Sequence, residues 1–389
     1  MKKTVRAAAA LLTALLLCSC VPQPEQTGTV TEQITDKQTE ETTETETETE
    51  AETEKEQKTL KTFNNPISDK SMPDPFIVYH NGYYYGLATE VVQVRLYRSR
   101  TVEDLFINGE YKDLIKTGDS IGGSRTLGFN VWAPELHYMP TEDKWYVYTC
   151  ACTNGYDFGS MRMLCLESED GDPFGDYHFK GQTLANQICI DQTVYYDEES
   201  GNIYTAFCYF SEDKGQVVML ADMSSPWKVG TKRVRITYPQ YDWEQRGTDK
   251  DNDGRVNEGP VFLKHNGEIY LIYSASGCWS EYYCLGMLHY VGEDTTKKNF
   301  LDPDNWKKSK EPIFSSANGV YAPGHCAFFY SPDGSEVWMS YHGMAAPDAG
   351  VEGRYAYIQK IEFDENNVPT LGKPLPRETD ITVPSGQTE

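Results

Sequence analysis

The sequence predicts an all-β fold, specifically a five-bladed β-propeller, and three observations carry that prediction. Strand–turn–strand units recur with turns near residues 81, 143, 201, 266 and 333, at intervals of 62, 58, 65 and 67. Tyrosine is abundant, at 27 of 389 residues, as suits pleated, half-buried surfaces. No stretch sustains the 3.6-residue apolar period of an amphipathic helix. A period near sixty, with two strong strands and weaker strand-like stretches after them, fits four-stranded blades carrying long loops. A pair of packed sheets would leave the even spacing without a cause.

The chain begins with a segment outside that fold. Lys2, Lys3 and Arg6 precede an apolar run from Ala7 to Leu17, too short to span a bilayer as a helix and suited to a signal peptide. It ends in Leu17-Cys18-Ser19-Cys20, which resembles a bacterial lipobox with Cys20 as the lipidated residue. Residues 1–20 are therefore expected to be a lipoprotein signal, making the protein exported and anchored at the outer face of a bacterial membrane. Residues 21–62 form a Thr/Glu tract with almost no large apolar side chains. Such a segment cannot bury enough surface to fold and is extended by its own charge. It reads as a tether with a reach of roughly 35 Å.

Residues 63–377 are expected to form the propeller, with 378–389 as a tail. The whole chain carries a net charge of −24, and most of that acidity falls in the domain. It argues against nucleic acid or an anionic membrane surface as a partner, leaving the lipid as the sole membrane contact. A neutral glycan is compatible. Eight cysteines lie in the domain without any Cys-x-x-Cys pair, which disfavours zinc. Most sit inside strand-like runs, where a free thiol packs as a small hydrophobe; Cys278 and Cys284 are the nearest candidates for a disulfide.

Each hairpin then follows. The first runs Phe76 to Tyr79, Asn81-Gly82, Tyr83 to Leu87. In the second, Glu135 to Met139 turns at 141–144 into Trp145 to Thr149. The third joins Thr193–Tyr196 to Ile203–Phe207, and the fourth Val261–His265 to Ile269–Tyr273 across Asn266-Gly267. The fifth joins Ala327–Tyr330 to Val337–Tyr341 through Asp333-Gly334. Asn-Gly between β-rich runs is the strongest local hairpin signal. Expected outer strands are Val94–Arg98, Met161–Leu166, Val217–Ala221 and Tyr283–Leu288. The stretches 101–130 and 238–257 read as long insertions that would wall off an open groove. One of them contains Asp249-x-Asp251-x-Asp253-Gly254, the start of an EF-hand-like loop whose twelfth position is Pro260 rather than Glu.

In a propeller the innermost strand of every blade lines the axis, so the five strand starts converge. Those positions hold Asp74, Trp132 with Glu135, Asp191, Glu258 and His325. Several carboxylates beside an indole and an imidazole suit glycoside hydrolysis, which needs two carboxyl groups flanking the scissile bond and an aromatic face for the sugar.

The elements Asp-Pro-Phe at 74, Trp-Ala-Pro-Glu at 132, Ile-Asp at 190, Glu-Gly-Pro at 258 and Gly-His at 324 stand in the order of glycoside hydrolase family 43, which the chain resembles over roughly residues 70–376. The resemblance implies an inverting hydrolase of plant cell-wall arabinan or arabinoxylan. Asp74 resembles the general base, Glu258 the general acid, and Asp191 the carboxylate that orients Glu258 and raises its pKa. Trp132 and Arg354 resemble sugar-binding positions, and Glu135 is read as structural. His325 resembles an axial histidine that in many members touches a hydrated calcium ion; no cofactor is expected in the chemistry itself. The motif contexts look most like exo-acting α-L-arabinofuranosidases. β-Xylosidase and endo-arabinanase are the alternatives within the class, and a non-catalytic surface glycan-binding lipoprotein is the alternative outside it.

Overall fold

A computed structural model describes residues 61–250 and 252–388. The expected signal peptide, nearly all of the tether and the lipidation candidate Cys20 lie outside the described residues, as does Asp251.

Five four-stranded antiparallel sheets follow one another along the chain, each with its strands in sequence order. The first blade comprises Phe76–His80, Tyr83–Leu87, Gln93–Ser99 and Glu110–Lys116; the second Trp132–Met139, Lys144–Cys152, Met161–Ser168 and Tyr177–Gln182. The third comprises Cys189–Tyr196, Ile203–Ser211, Gly215–Ser225 and Lys228–Thr237. The fourth comprises Asn257–His265, Glu268–Ala275, Cys284–Tyr290 and Trp306–Lys308, and the fifth Tyr321–Tyr330, Val337–Met344, Arg354–Phe363 and Pro369–Thr370. Inner strands of consecutive blades touch, and that of the fifth meets that of the first. The ring is closed.

Local chemistry explains the hairpins. Asn81-Gly82 and Asn266-Gly267 both have positive φ at both residues, as the primed two-residue turns require. Between blades the core is filled by fully buried side chains such as Leu87, Val147, Ile272 and Met339. Aromatic contacts add to it, with Tyr204 and Phe300 at 4.2 Å between ring centroids and tilted by 36°.

Three expectations shift. Residues 378–389 are not a free tail: Ile381–Thr382 pairs with Thr62–Phe63, and Ile381 and Phe63 are buried in one cluster with Trp338. Burial of those two apolar side chains holds both ends of the domain together. The stretch 101–130 is not a single insertion, since it contains the outermost strand of the first blade, Glu110–Lys116. The stretch 238–257 is anchored inward by Glu244, which is fully buried and is bonded by Asn257, Tyr273 and Lys308. All eight domain cysteines are free, Cys278 and Cys284 included. Seven are buried within the sheets, where the thiols pack as small hydrophobes.

Candidate active site

The inner strands share a device that aims their side chains. Pairing with the second strand slips between Trp132 and Glu135, Ile190 and Thr193, Glu258 and Val261, and Gly324 and Ala327. At each slip one residue takes a left-handed backbone: Ala133 (φ 43°), Asp191 (57°), Gly259 (52°) and His325 (48°). Asp74, just before the first inner strand, does the same at 58°. A bulge of this kind re-aims a side chain off the pleat, and non-glycine residues adopt it at a cost of about 1–2 kcal/mol each. Five such kinks at the mouth of one ring mark a functional centre.

The device brings the sequence-predicted carboxylates together. The Gly259 N–H donates to Asp191 Oδ2 at 3.0 Å, tying the third blade to the fourth beside Glu258. His325 Nδ1 lies 3.3 Å from Asp74 Oδ1, tying the fifth to the first. A Cβ built on Gly259 would stand 3.0 Å from the His325 ring. The imidazole therefore sits among Asp74, Asp191 and Glu258, and all three carboxylates are buried.

Their electrostatics differ sharply. Burial pushes the Asp74 carboxyl up, but His325, Arg354 and His342 together outweigh it and hold the group well below the ordinary range. Asp74 is ionised. Burial raises Glu258, and the neighbouring Asp191 charge raises it further, against His325 and the Tyr283 hydroxyl. Asp191 is itself raised by burial, with Asp74 adding to the effect and His325 and the Gly259 N–H opposing it. One carboxylate kept charged and one kept protonated in the same pocket is the arrangement that acid–base hydrolysis needs. Burial works against the His325 charge, yet the three carboxylates raise its pKa overall.

Arg354 places Nη1 3.4 Å from Asp74 Oδ1, and its Nε donates to the Val351 carbonyl at 2.9 Å. Trp132 is half-buried at the mouth of the second blade, its ring 6.2 Å from that of Phe158. Glu135 is turned away into a 2.7 Å pair with His137 Nε2. In the acidic loop, Asp249 accepts from Asn252, and Asp253 pairs with Arg255 at 2.6 Å. Among the described residues no group of three or more His, Cys, Asp or Glu side chains could hold a metal ion. His325 engages Asp74 through Nδ1 at 3.3 Å, which leaves Nε2 as the ring atom that would meet a hydrated ion.

Four site residues escape sequence reasoning. His342, fully buried, places Nδ1 3.1 Å from Asp74 Oδ1. Thr89 donates to Asp74 Oδ2 at 2.7 Å while accepting from the Ala133 N–H at 2.7 Å. Tyr283 donates to Glu258 Oε1 at 2.9 Å and lies parallel to the His342 ring, 5.4 Å away. Cys278, whose thiol burial pushes up, lies near Glu258 and Arg354. None of the four stands at the start of an inner strand, so the mouth pattern gives no signal for them.

Gly259 carries the first prediction. Ala133 adopts the same backbone in the second blade, so the strain alone is tolerable; at position 259 the His325 ring occupies the space a methyl would need. Gly259→Ala is expected to lower stability by about 1–2 kcal/mol and to push His325 away from Asp74. A urea midpoint equal to that of the parent would contradict this.

Comparisons with known proteins agree with this geometry. The family model described as Glycosyl hydrolases family 43 matches residues 63–369. An extracellular exo-α-(1→5)-L-arabinofuranosidase of Streptomyces avermitilis is 32% identical over 327 residues, covering 81% of this chain and 64% of that protein. One of the same name from Streptomyces chartreusis is 34% identical over 288 residues, covering 72% of this chain and 82% of the relative. The chain thus spans just under two thirds of the first relative's length. Among solved structures, an α-L-arabinofuranosidase from Lactobacillus brevis superimposes with a TM-score of 0.70 at 30% identity, covering 82% of this chain and 98% of that one.

Proposed function

The chain belongs to glycosyl hydrolases family 43, and on that premise we propose that it is an inverting, exo-acting α-L-arabinofuranosidase of plant cell-wall arabinan or arabinoxylan. The observation that carries the reading is the contrast between Asp74, held ionised, and Glu258, held protonated, in one buried cluster. Asp74 takes a proton from water as the water oxygen bonds to the anomeric carbon. Glu258 gives its proton to the departing oxygen as the glycosidic bond breaks. Asp191 keeps Glu258 protonated through its charge and is itself held by the Gly259 N–H. Arg354 and Trp132 face the sugar in this scheme. The names of the two Streptomyces relatives support the choice of arabinofuranoside and of an extracellular site of action.

The proposal includes lipid anchoring through Cys20, with residues 21–62 as the tether. A hydrated calcium ion enters it only as an outer-sphere neighbour of His325, and no step of the hydrolysis depends on it. The test is a panel of aryl arabinofuranoside, aryl xyloside and linear arabinan, with the first-formed anomer read by NMR. Release of inverted arabinose from the first substrate and from arabinan chain ends supports the reading. Retained configuration, or release of oligomers alone, overturns the inverting exo assignment.

Tyr283 supplies a pH prediction. Its hydroxyl stabilises the charged form of Glu258, which is the form left after proton transfer. Glu258 works protonated, so activity is lost as pH rises through its pKa, raised to about 8. Tyr283→Phe removes the donor; the alkaline limb is expected to move to higher pH while kcat falls by about 10-fold or more, the worth of a hydrogen bond to a charged group. A limb that stays in place, or moves down, would show that Tyr283 does not act through Glu258.

A further inference from the structure

Away from the hub, but on the same face of the ring, a polar cleft of about 390 Å³ lies over the second blade. It is bounded by the loop that enters the blade (Ser124, Arg125, Thr126), the loop between its second and third strands (Thr153, Asn154, Gly155) and the loop that leaves it. Each of these connects strand ends on the side where Trp132 and Asp191 stand. The only ionisable side chains lining it are two arginines, Arg125 and Arg162.

In a chain of net charge −24 that pairing is unexpected, because neither arginine forms an ion pair among the described residues. Arg162 is fixed instead by neutral acceptors, with Nη1 donating to the carbonyls of Gly159 and Met161 at 3.1 and 2.6 Å. The nearby carboxylate of Asp157 is turned to the Gly159 N–H at 3.0 Å. Asn154 and Gln182 add amide donors and acceptors to the lining. At the edge, Tyr156 is 64% exposed and stacks on Phe129 at 3.7 Å with an interplanar angle of 7°, leaving a flat aromatic face beside Gly155. A second cleft of about 430 Å³ shares Gln182 and carries Trp227 and Lys228.

We propose that this cleft binds a uronic acid residue of the polysaccharide that carries the arabinose. The guanidinium plane presents paired donors that match a carboxylate. Amides and hydroxyls suit the sugar hydroxyls, and an aromatic face suits the ring. Occupancy would hold an acidic backbone on the second blade while a neutral arabinose branch enters the hub. This inference rests on the arabinofuranosidase reading only for the identity of that branch. Uronates reach such an enzyme from galacturonan-type or glucuronoxylan-type chains, and the probes separate the two.

Calorimetric titration of the full chain with trigalacturonate, with a glucuronate-substituted xylo-oligosaccharide and with neutral xylotriose tests the site. At least one acidic probe is expected to bind, more weakly as salt rises, and more tightly than xylotriose. Arg125→Gln with Arg162→Gln should weaken that binding at least tenfold and leave kcat/KM on an aryl arabinofuranoside within twofold. That retained activity shows the variant is folded; the single Arg125→Gln change, at an exposed side chain, should give an intermediate loss. Acidic probes binding no better than xylotriose, unchanged affinity in the double variant, or full displacement by millimolar inorganic phosphate would each overturn the proposal. Uronate binding in a protein that cleaves no arabinofuranoside would leave this site standing and remove the proposed activity instead.

Discussion

Glu258→Gln is expected to cut kcat on arabino-oligosaccharides by about 10²–10⁴-fold, the range of a lost general acid, while sparing KM. Glutamine keeps the shape and can still accept from Tyr283, whose hydroxyl lies 2.9 Å from Oε1, so the pocket should remain formed. The loss should depend on the leaving group. A dinitrophenyl arabinofuranoside departs without protonation, and the variant should hydrolyse it at a rate close to the parent's. Equal losses on both substrates would remove Glu258 from the role of acid. The alkaline limb of the pH profile should also vanish in the variant, because the group that titrates there is gone.

Asp74→Asn should be as severe but blind to the leaving group. Its carboxylate is gripped from four directions, by Thr89, His325, His342 and Arg354, and the three cationic or imidazole partners keep it charged at any pH near neutral. An amide cannot take the proton from water, so kcat on the oligosaccharide and on the dinitrophenyl glycoside should both fall by about 10²–10⁴-fold. The comparison of the two variants on two substrates separates base from acid without reference to any relative. A variant at position 74 that retained a tenth of parental activity would leave the base unassigned.

What could be read from the chain alone follows from which features are local. The inner hairpins were legible because Asn81-Gly82 and Asn266-Gly267 each fix a turn through two left-handed residues, and Asp333-Gly334 through its glycine. The outermost strands were not. Glu110–Lys116 is largely exposed and lacks alternation, while Trp306–Lys308 and Pro369–Thr370 have three and two residues; edge strands of that kind take their structure from their neighbours. The C-terminal closure was hidden for a similar reason, since two-residue pairings such as Thr62–Phe63 with Ile381–Thr382 have no local signature.

The same division holds at the site. Asp74, Asp191, Glu258 and His325 stand beside the kinks that begin inner strands, and the repeat alone places them in one region. His342 comes from a second strand, where it opposes Gly324, and Tyr283 from just before a third strand. Whether such residues face the hub or the neighbouring blade depends on register, and a shift of one residue would reverse it. Gly324 shows how tight that register is: a Cβ there would meet the Tyr283 ring at 2.2 Å. Side chains that reach the carboxylates from second and third strands are therefore hidden in the sequence by geometry, whereas those at the strand mouths are not.

The left-handed residues at the strand mouths have a further consequence. Because Asp191, Glu258 and His325 are delivered by bends within the sheets, and Asp74 by a left-handed residue just ahead of the first inner strand, the outer loops carry little responsibility for where the acid and base stand. Those loops are free to lengthen, acquire charge or change their sugar preference while the catalytic spacing stays put. The ring thus separates its engine from its steering, and a chain of this design can change what it grips without relearning how it cuts.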